Sequence, residues 1–183
     1  MKGDAEKMHP LVRRAVPGDA AELAGLKLQT FRETFVDGEL AIPYAEEDLA
    51  VFESQSYSLA TVRDELEDAH HAQWVAEDES GALIGYAHVG PCKLPHAEAN
   101  ADHAEIYQLY VVDEWQGAGM GRVLLDTALN WVEESQPGPI WLGVFSGNLR
   151  AQAVYISRGF VKVGEYEFKV GDHRDREFIM RRG

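Results

Sequence analysis

Cysteine is nearly missing from this chain: Cys92 is the only one in 183 residues. That excludes an intrachain disulfide and any zinc site built on paired thiolates. Cys92 sits between Pro91 and Lys93 with no nucleophile signature around it, and reads as a structural or surface thiol. Positive charge is also scarce, 17 Lys and Arg against 31 Asp and Glu, for a net charge of −14. Such a chain lacks the basic face that nucleic acid or an anionic membrane surface requires. The acidic balance is compatible with cationic partners such as amines, and equally with solubility alone. No apolar run approaches the roughly 18 residues that span a bilayer, and MKGDAEKMHP has no apolar signal core, so the expected location is the cytoplasm. The histidines, His70, His71, His88, His96 and His103 among them, show no HExxH spacing. They are expected on the surface, with no metal bound.

What the chain does have is one continuous alternation of strand and helix patterns. No repeat, low-complexity block or linker divides it, so a single domain is expected over 9–183 behind a disordered polar tail at 1–8. His9 to Val16 reads as a strand. Pro17-Gly18-Asp19 breaks it, and Asp19 can cap the helix that Leu23, Leu26, Leu28 and Phe31 mark over Ala20 to Phe35. Two more helices are expected over Tyr44 to Ser56 and Ser58 to Asp68. Gln73 to Ala76 and Leu83 to Val89 form a hairpin about Glu79-Ser80-Gly81. After a loop over 91–103, Glu105 to Val112 (EIYQLYVV) is a strongly β-prone strand. A helix follows from Met120, then a short buried strand over Ile140 to Phe145, then a helix over Asn148 to Arg158. Phe160 to Phe168 and Glu177 to Met180 are the closing strands, joined by GDHRD. The order predicts a mixed α/β sheet with helices on both faces.

The chemistry concentrates where EIYQLYVV runs into Gln116-Gly117-Ala118-Gly119-Met120-Gly121-Arg122. Alternating glycines at a helix start let the backbone turn sharply and let a ligand approach without meeting a Cβ. The first helical turn also presents unpaired N–H groups and a partial positive charge that fit phosphate oxygens. A P-loop is excluded, because no Lys-Ser or Lys-Thr pair follows. The dinucleotide pattern GxGxxG fails too, because its third glycine position counted from Gly117 is Arg122. A tight turn without ligand and a pyrophosphate loop for coenzyme A both stay open on spacing alone.

The segment resembles the signature of the GNAT N-acetyltransferase superfamily, (Arg/Gln)-x-x-Gly-x-(Gly/Ala), placed after a strand as in that superfamily. The resemblance implies an α/β (α+β) fold of the GNAT type, a mixed, mostly antiparallel seven-stranded twisted sheet with helices on both faces. It implies acetyl-CoA as acetyl donor. The backbone of Tyr110, Val111 and Val112 would hold the pantetheine arm, and Gln116, Gly117, Ala118, Gly119, Met120, Gly121 and Arg122 the pyrophosphate. NLRAQAVYISRGF resembles a later motif of the superfamily. Asn148 and Tyr155 are seven residues apart and so share a helix face, with the small Ala151 between them leaving room for a cofactor arm.

Acyl transfer from a thioester expels a thiolate, and a tyrosine can give it a proton or a hydrogen bond; Tyr155 is the candidate acid. An alkyl amine is mostly protonated near neutral pH and must lose a proton first. Glu105, in Ala104-Glu105-Ile106, is the candidate base, directly or through water, and resembles the catalytic glutamate of histone-modifying members. Alternation puts Tyr107 and Leu109 on its face of the strand. The run FKVGDHRDREFIM, with WLGVF and FRETF, resembles bacterial spermidine/spermine N-acetyltransferase-like proteins of the PaiA type, although Glu177 stands where Asp is expected. Phe31, Glu33, Phe35 and Tyr107 are the candidate acceptor contacts. The implied acceptor is a small-molecule amine, a polyamine first. A protein or peptide amine and a CoA-binding regulator with little catalysis are the other readings. The superfamily also carries the expectation of a homodimer.

Overall fold

The computed structural model describes residues 10–183, so the tail expected at 1–8 and His9 lie outside the described residues. Twelve α-helices and strands follow one another in the expected order. They are β1 (Leu11–Arg14), α1 (Ala20–Phe35), α2 (Glu46–Tyr57), α3 (Leu59–Glu67), β2 (Ala72–Glu77), β3 (Leu83–Pro91), β4 (Ala104–Val111), α4 (Met120–Ser135), β5 (Ile140–Phe145), α5 (Leu149–Ile156), β6 (Val161–Val170) and β7 (His173–Arg182). The strands form one seven-stranded sheet in the order β1-β2-β3-β4-β5-β7-β6. Every neighbouring pair is antiparallel except β4 with β5.

Helices cover both faces. On one, α1 buries Leu23, Leu26, Lys27, Thr30 and Phe31, with the Lys27 ammonium over the Tyr86 ring of β3. On the other, α4 buries Leu124, Leu125, Ala128, Leu129 and Val132, and its Trp131 packs edge-on against Trp74 of β2. The apolar spacing of both helices is the i, i+3, i+4 pattern that places one stripe against a sheet. Among the described residues, no helix is long and apolar enough to cross a membrane.

Two local expectations change. Asp19 stands at the N-cap position of α1, but its carboxylate accepts from the Val16 amide at 2.8 Å and pairs with Arg13, so it clasps the end of β1 instead of capping the helix. GDHRD is not a loop either. Only Gly171 and Asp172 separate β6 from β7, with Gly171 at φ 57°, and His173, Arg174 and Asp175 already belong to the strand. A two-residue connection is the tightest hairpin geometry, and it extends the pairing down both strands.

Two departures from a regular sheet prepare the site. First, β4 and β5 pair only over Ala104–Ile106 against Ile140–Leu142. Beyond that point they have no partner across the gap, and the sheet splays open. Secondly, the β3–β4 register slips between His88 and Val89: His88 faces Gln108 while Val89 faces Ile106, leaving Tyr107 as the extra residue of a β-bulge. A bulge re-aims the side chains after it. Glu105 (opposite Gly90), Tyr107, Gln108 and Tyr110 therefore look toward α1. Leu109, opposite Ala87, looks toward α4 and not along with Glu105 as strict alternation had it.

Candidate active site

A cavity of about 490 Å³ opens beneath α1 and α2 at the splay. It brings together Phe31, Phe35, Glu105, Tyr107, Tyr110, Asn148, Ala151 and Tyr155, eight of the residues singled out from sequence. Phe35 bridges the open V, with ring centroids 6.5 Å from Tyr110 on β4 and 6.0 Å from Phe145 on β5. Phe31 anchors it from above in a cluster with Phe52 and Tyr57. Tyr107 packs its ring against Gly90, where any Cβ would collide with it, and its hydroxyl donates to the Pro91 carbonyl. Glu33 is not in the cavity; its carboxylate accepts from the Asp113 amide at 3.1 Å and ties the end of α1 to the turn after β4.

That turn forms a second, separate part of the site. Gly117 and Gly119 have φ of 84° and 86°, the left-handed region that favours glycine. The N–H groups of Gly117, Gly119, Met120 and Gly121 find no acceptor among the described residues, and all but Met120 and Gly121 lie in exposed backbone. Together with the start of α4 they make a concave donor cluster suited to phosphate oxygens. Gln116 is exposed but bonded on both ends of its amide. Its amide nitrogen donates to the Val111 carbonyl and the Asp113 carboxylate, and its oxygen accepts from Arg150 of α5 at 2.8 Å. Arg150 thus joins Arg122 as a cation beside the turn. Of the three residues expected along the pantetheine arm, Val112 has its amide committed to the Ile84 carbonyl at 2.9 Å. Asn148 is the N-cap of α5, its side-chain oxygen accepting from the Ala151 amide at 3.0 Å.

Tyr155 is buried, and its hydroxyl makes no hydrogen bond to any described residue. Burial first, and then the nearby Glu177 carboxylate, push the phenol well above its ordinary range, so it stays protonated and able to donate. Glu105 is 8% exposed; burial raises it, while the Lys93 amide donating at 2.8 Å and the Lys93 charge pull it back.

Sequence reasoning named Glu177 only as a motif position and missed the far wall it belongs to. Asp175 and Glu177, two apart on β7, face the cavity beside Tyr166 of β6 and Tyr44. Asp175 is buried, accepting from Tyr44 at 2.6 Å and lying 3.0 Å from His173. Glu177 accepts from the Tyr166 hydroxyl at 2.7 Å, and burial, reinforced by the charges of Asp175 and Glu105, pushes its carboxyl up to about 7. The available signal was the D-x-E alternation inside GDHRDREF, which a strand reading would have placed on one face.

Also unforeseen is a buried polar chain along the same face. Lys27, with no exposed surface, pairs with Glu65 at 2.7 Å and reaches His88 at 3.4 Å; His88 in turn meets His71 at 3.0 Å. His88 is 2% exposed, so the expectation of surface histidines fails there. Burial and the neighbouring Lys27 charge hold it neutral. No cluster of three or more His, Cys, Asp or Glu able to hold a metal occurs among the described residues.

Residues 34–160 match the model of the acetyltransferase (GNAT) family. The chain belongs to that family. It is an acetyl-CoA-dependent N-acetyltransferase. Among curated proteins it is 26% identical over 164 residues to an uncharacterized N-acetyltransferase in the pepI 3' region of Lactobacillus delbrueckii subsp. lactis, covering 90% of this chain and 91% of the relative. It is 30% identical over 160 residues to the streptothricin acetyltransferase of Streptomyces lavendulae, covering 83% and 82%. Its fold is similar to that of the PaiA N-acetyltransferase of Thermoplasma acidophilum, solved in complex with coenzyme A. The TM-score is 0.73 at 20% identity, over 96% of this chain and 99% of the other. The GNAT match ends before β6, so Asp175 and Glu177 lie outside it.

Proposed function

We propose that this single-domain GNAT enzyme moves the acetyl group directly from acetyl-CoA to a primary amine of a small cationic molecule, with a polyamine as the first acceptor to test. One observation carries the reading: a cavity walled by the carboxylates of Glu65, Glu105, Asp175 and Glu177 and by aromatic rings, sited at the mouth of the β4–β5 splay. Carboxylates attract an ammonium group, and aromatic faces add cation–π attraction. Its volume, about 490 Å³, is that of a small-molecule pocket rather than an extended peptide groove. The 30% identity to a streptothricin acetyltransferase, a protein named for a small-molecule acceptor, supports the same reading.

The residues divide the work. The free amides of Gly117, Gly119, Met120 and Gly121, with Arg122 and Arg150 beside them, receive the pyrophosphate. The unpaired edge of β4 at Tyr110 and Val111 and the small Ala151 leave a channel for the pantetheine arm. Acetyl-CoA supplies the activated acetyl group. Tyr155 donates to the sulfur as the thiolate leaves. The acceptor ammonium sheds its proton to the cavity's carboxylates, Glu105 and Glu177 being the two whose affinity for a proton is raised by burial. Phe31, Phe35 and Tyr107 hold the body of the acceptor.

Calorimetry with acetyl-CoA, followed by thiol release against spermidine, streptothricin, free amino acids and an alanine-led peptide, tests this. Turnover is expected with spermidine or another small cation. Acetylation of the peptide alone would overturn the small-molecule reading, and absence of acetyl-CoA binding at millimolar concentration would overturn the assignment of the glycine turn.

A further inference from the structure

Two carboxylates face the cavity at positions able to take a proton from the acceptor, and they are not equivalent. Glu105 stands on the paired part of β4, opposite Trp141, before the splay begins. Its Oε2 already accepts from the Lys93 amide, and the Lys93 cation stands close by. Glu177 stands farther along, opposite Phe145 on the unpaired end of β5. Gly143 is what admits it there: a Cβ on Gly143 would lie 3.1 Å from Oε2 of Glu177 and would collide with the Tyr166 hydroxyl. Tyr166 donates to Oε2 alone, and Oε1 has no partner among the described residues. Glu177 and Tyr155 line the same cavity, and Glu177 is the one carboxylate whose charge bears on Tyr155.

We infer that Glu177, rather than Glu105, is the general base of the acetyl transfer, with Tyr166 holding its carboxylate in place. This rests on the proposed transfer to an amine. One proton passes from the acceptor ammonium to Oε1 of Glu177. The freed lone pair forms the C–N bond at the acetyl carbon, and the C–S bond breaks with its electron pair going to sulfur. Sulfur takes the phenolic proton of Tyr155, and the second nitrogen-bound proton restores the phenol. The net yield is amide, thiol and one proton, which leaves Glu177 for solvent.

A base must be ionised before it can act, and its basicity must match the working pH. The groups facing Glu177 are arranged for that. Asp175 on its own strand and Glu105 on β4 repel its negative charge, Tyr166 on β6 stabilises it, and the phenols of Tyr155 on α5, Tyr110 on β4 and Tyr44 before α2 supply a low-polarity surround. Lys93 and His173 lie behind Glu105 and Asp175, respectively. The resulting value, about 7, suits a base that is ionised just above neutrality.

The test has two arms. In the first, kcat/KM for spermidine is followed against pH. The wild type should show an ascending limb near pH 7. Glu177→Gln should abolish that limb and lower kcat at least a hundredfold while binding acetyl-CoA as before. Tyr166→Phe should move the limb to higher pH, and Glu105→Gln should move it to lower pH without removing it. In the second arm, the CoA-bound protein carrying ¹³C-labelled glutamate side chains is titrated by NMR without any acceptor. One carboxylate should titrate near pH 7 and vanish in Glu177→Gln. A limb that survives in Glu177→Gln and disappears in Glu105→Gln would overturn the assignment. So would the absence of any carboxylate titrating above pH 6 that Glu177→Gln removes. If spermidine is not acetylated at all, the acceptor reading fails, and the NMR arm still decides which carboxylate is basic.

Discussion

Gly119 and Gly25 offer a controlled pair for testing the glycine turn. At both, an added Cβ would meet nothing within 4 Å, so alanine costs no packing at either site. Only the backbone differs. Gly25 lies exposed in the middle of α1, where alanine is favoured over glycine by about 0.8–1.0 kcal/mol. Gly119 holds a φ of 86°, where a side chain costs about 1–2 kcal/mol. Reduced freedom of the unfolded chain returns only about 0.4–1 kcal/mol of that. For a chain of this size each kcal/mol moves the melting temperature by roughly 2–4 °C. Gly25→Ala should therefore melt a few degrees above wild type, and Gly119→Ala a few degrees below. Ligand binding should separate them further. A backbone that leaves the left-handed region swings the Met120 and Gly121 N–H groups off their common focus. Losing one hydrogen bond to a charged phosphate, worth about 1.5–3 kcal/mol, weakens acetyl-CoA about ten- to a hundredfold. Differential scanning fluorimetry and calorimetry with acetyl-CoA measure both quantities. A Gly119→Ala protein that binds acetyl-CoA as tightly as Gly25→Ala would refute the claim that this turn receives the pyrophosphate.

Tyr155→Phe should lower kcat by about 10²–10⁴, the usual range for a lost general acid, with acetyl-CoA affinity largely kept; wild-type turnover would remove Tyr155 from the chemistry. Glu65→Gln strands the buried Lys27 ammonium and should cost about 3–5 kcal/mol near pH 7 in urea unfolding, whereas Lys27→Met leaves a Glu65 side chain that is 24% exposed and should cost less. Because burial holds Lys27 below its ordinary lysine value, the unfolded chain binds that proton more readily, so Glu65→Gln should regain stability as pH rises toward about 10. Glu177 works in the opposite direction: raised to about 7, it binds its proton more tightly in the folded state. Its contribution is full below the ordinary carboxyl value of 4.5 and is lost as pH climbs through 7, so Glu177→Gln should gain on wild type across that window, by at most about 3 kcal/mol.

Much of the fold could be read from the sequence because its signals are local. The stripe Leu23, Leu26, Phe31 fixed α1 at its observed bounds, Ala20–Phe35, and IWLGVF coincides with β5. The glycine turn could be read for the same reason: its chemistry belongs to the backbone, and glycine at Gly117 and Gly119 reports a conformation directly. Asp19 shows where local rules stop. Its type and position suit a helix cap, yet Arg13, six residues earlier, offers two strong ion-pair contacts, and a tertiary partner outcompetes a capping bond.

The far wall of the cavity was hidden because it depends on registers no local pattern encodes. Strict alternation from Glu105 put Leu109 on its face and Gln108 and Tyr110 on the other. One extra residue at Tyr107 reverses all of them, and the only trace of that bulge in the sequence is Gly90, whose missing side chain makes room for the displaced ring. Glu177 was hidden in the same way. It reaches the cavity because β7 is threaded between β5 and β6, so a residue near the chain end comes to lie across from Phe145. Gly143 is again the trace, since only a glycine there leaves space for the Tyr166–Glu177 pair. Gly143→Ala should accordingly do more harm to turnover than to folding. The collision falls on the Tyr166 hydroxyl, at the tip of a side chain that can turn away, and turning away breaks the hydrogen bond that holds Glu177. The expected outcome is a melting temperature within a few degrees of wild type together with an ascending pH limb displaced upward, as in Tyr166→Phe. A Gly143→Ala enzyme with an unchanged pH profile would mean that Tyr166 does not govern the charge on Glu177.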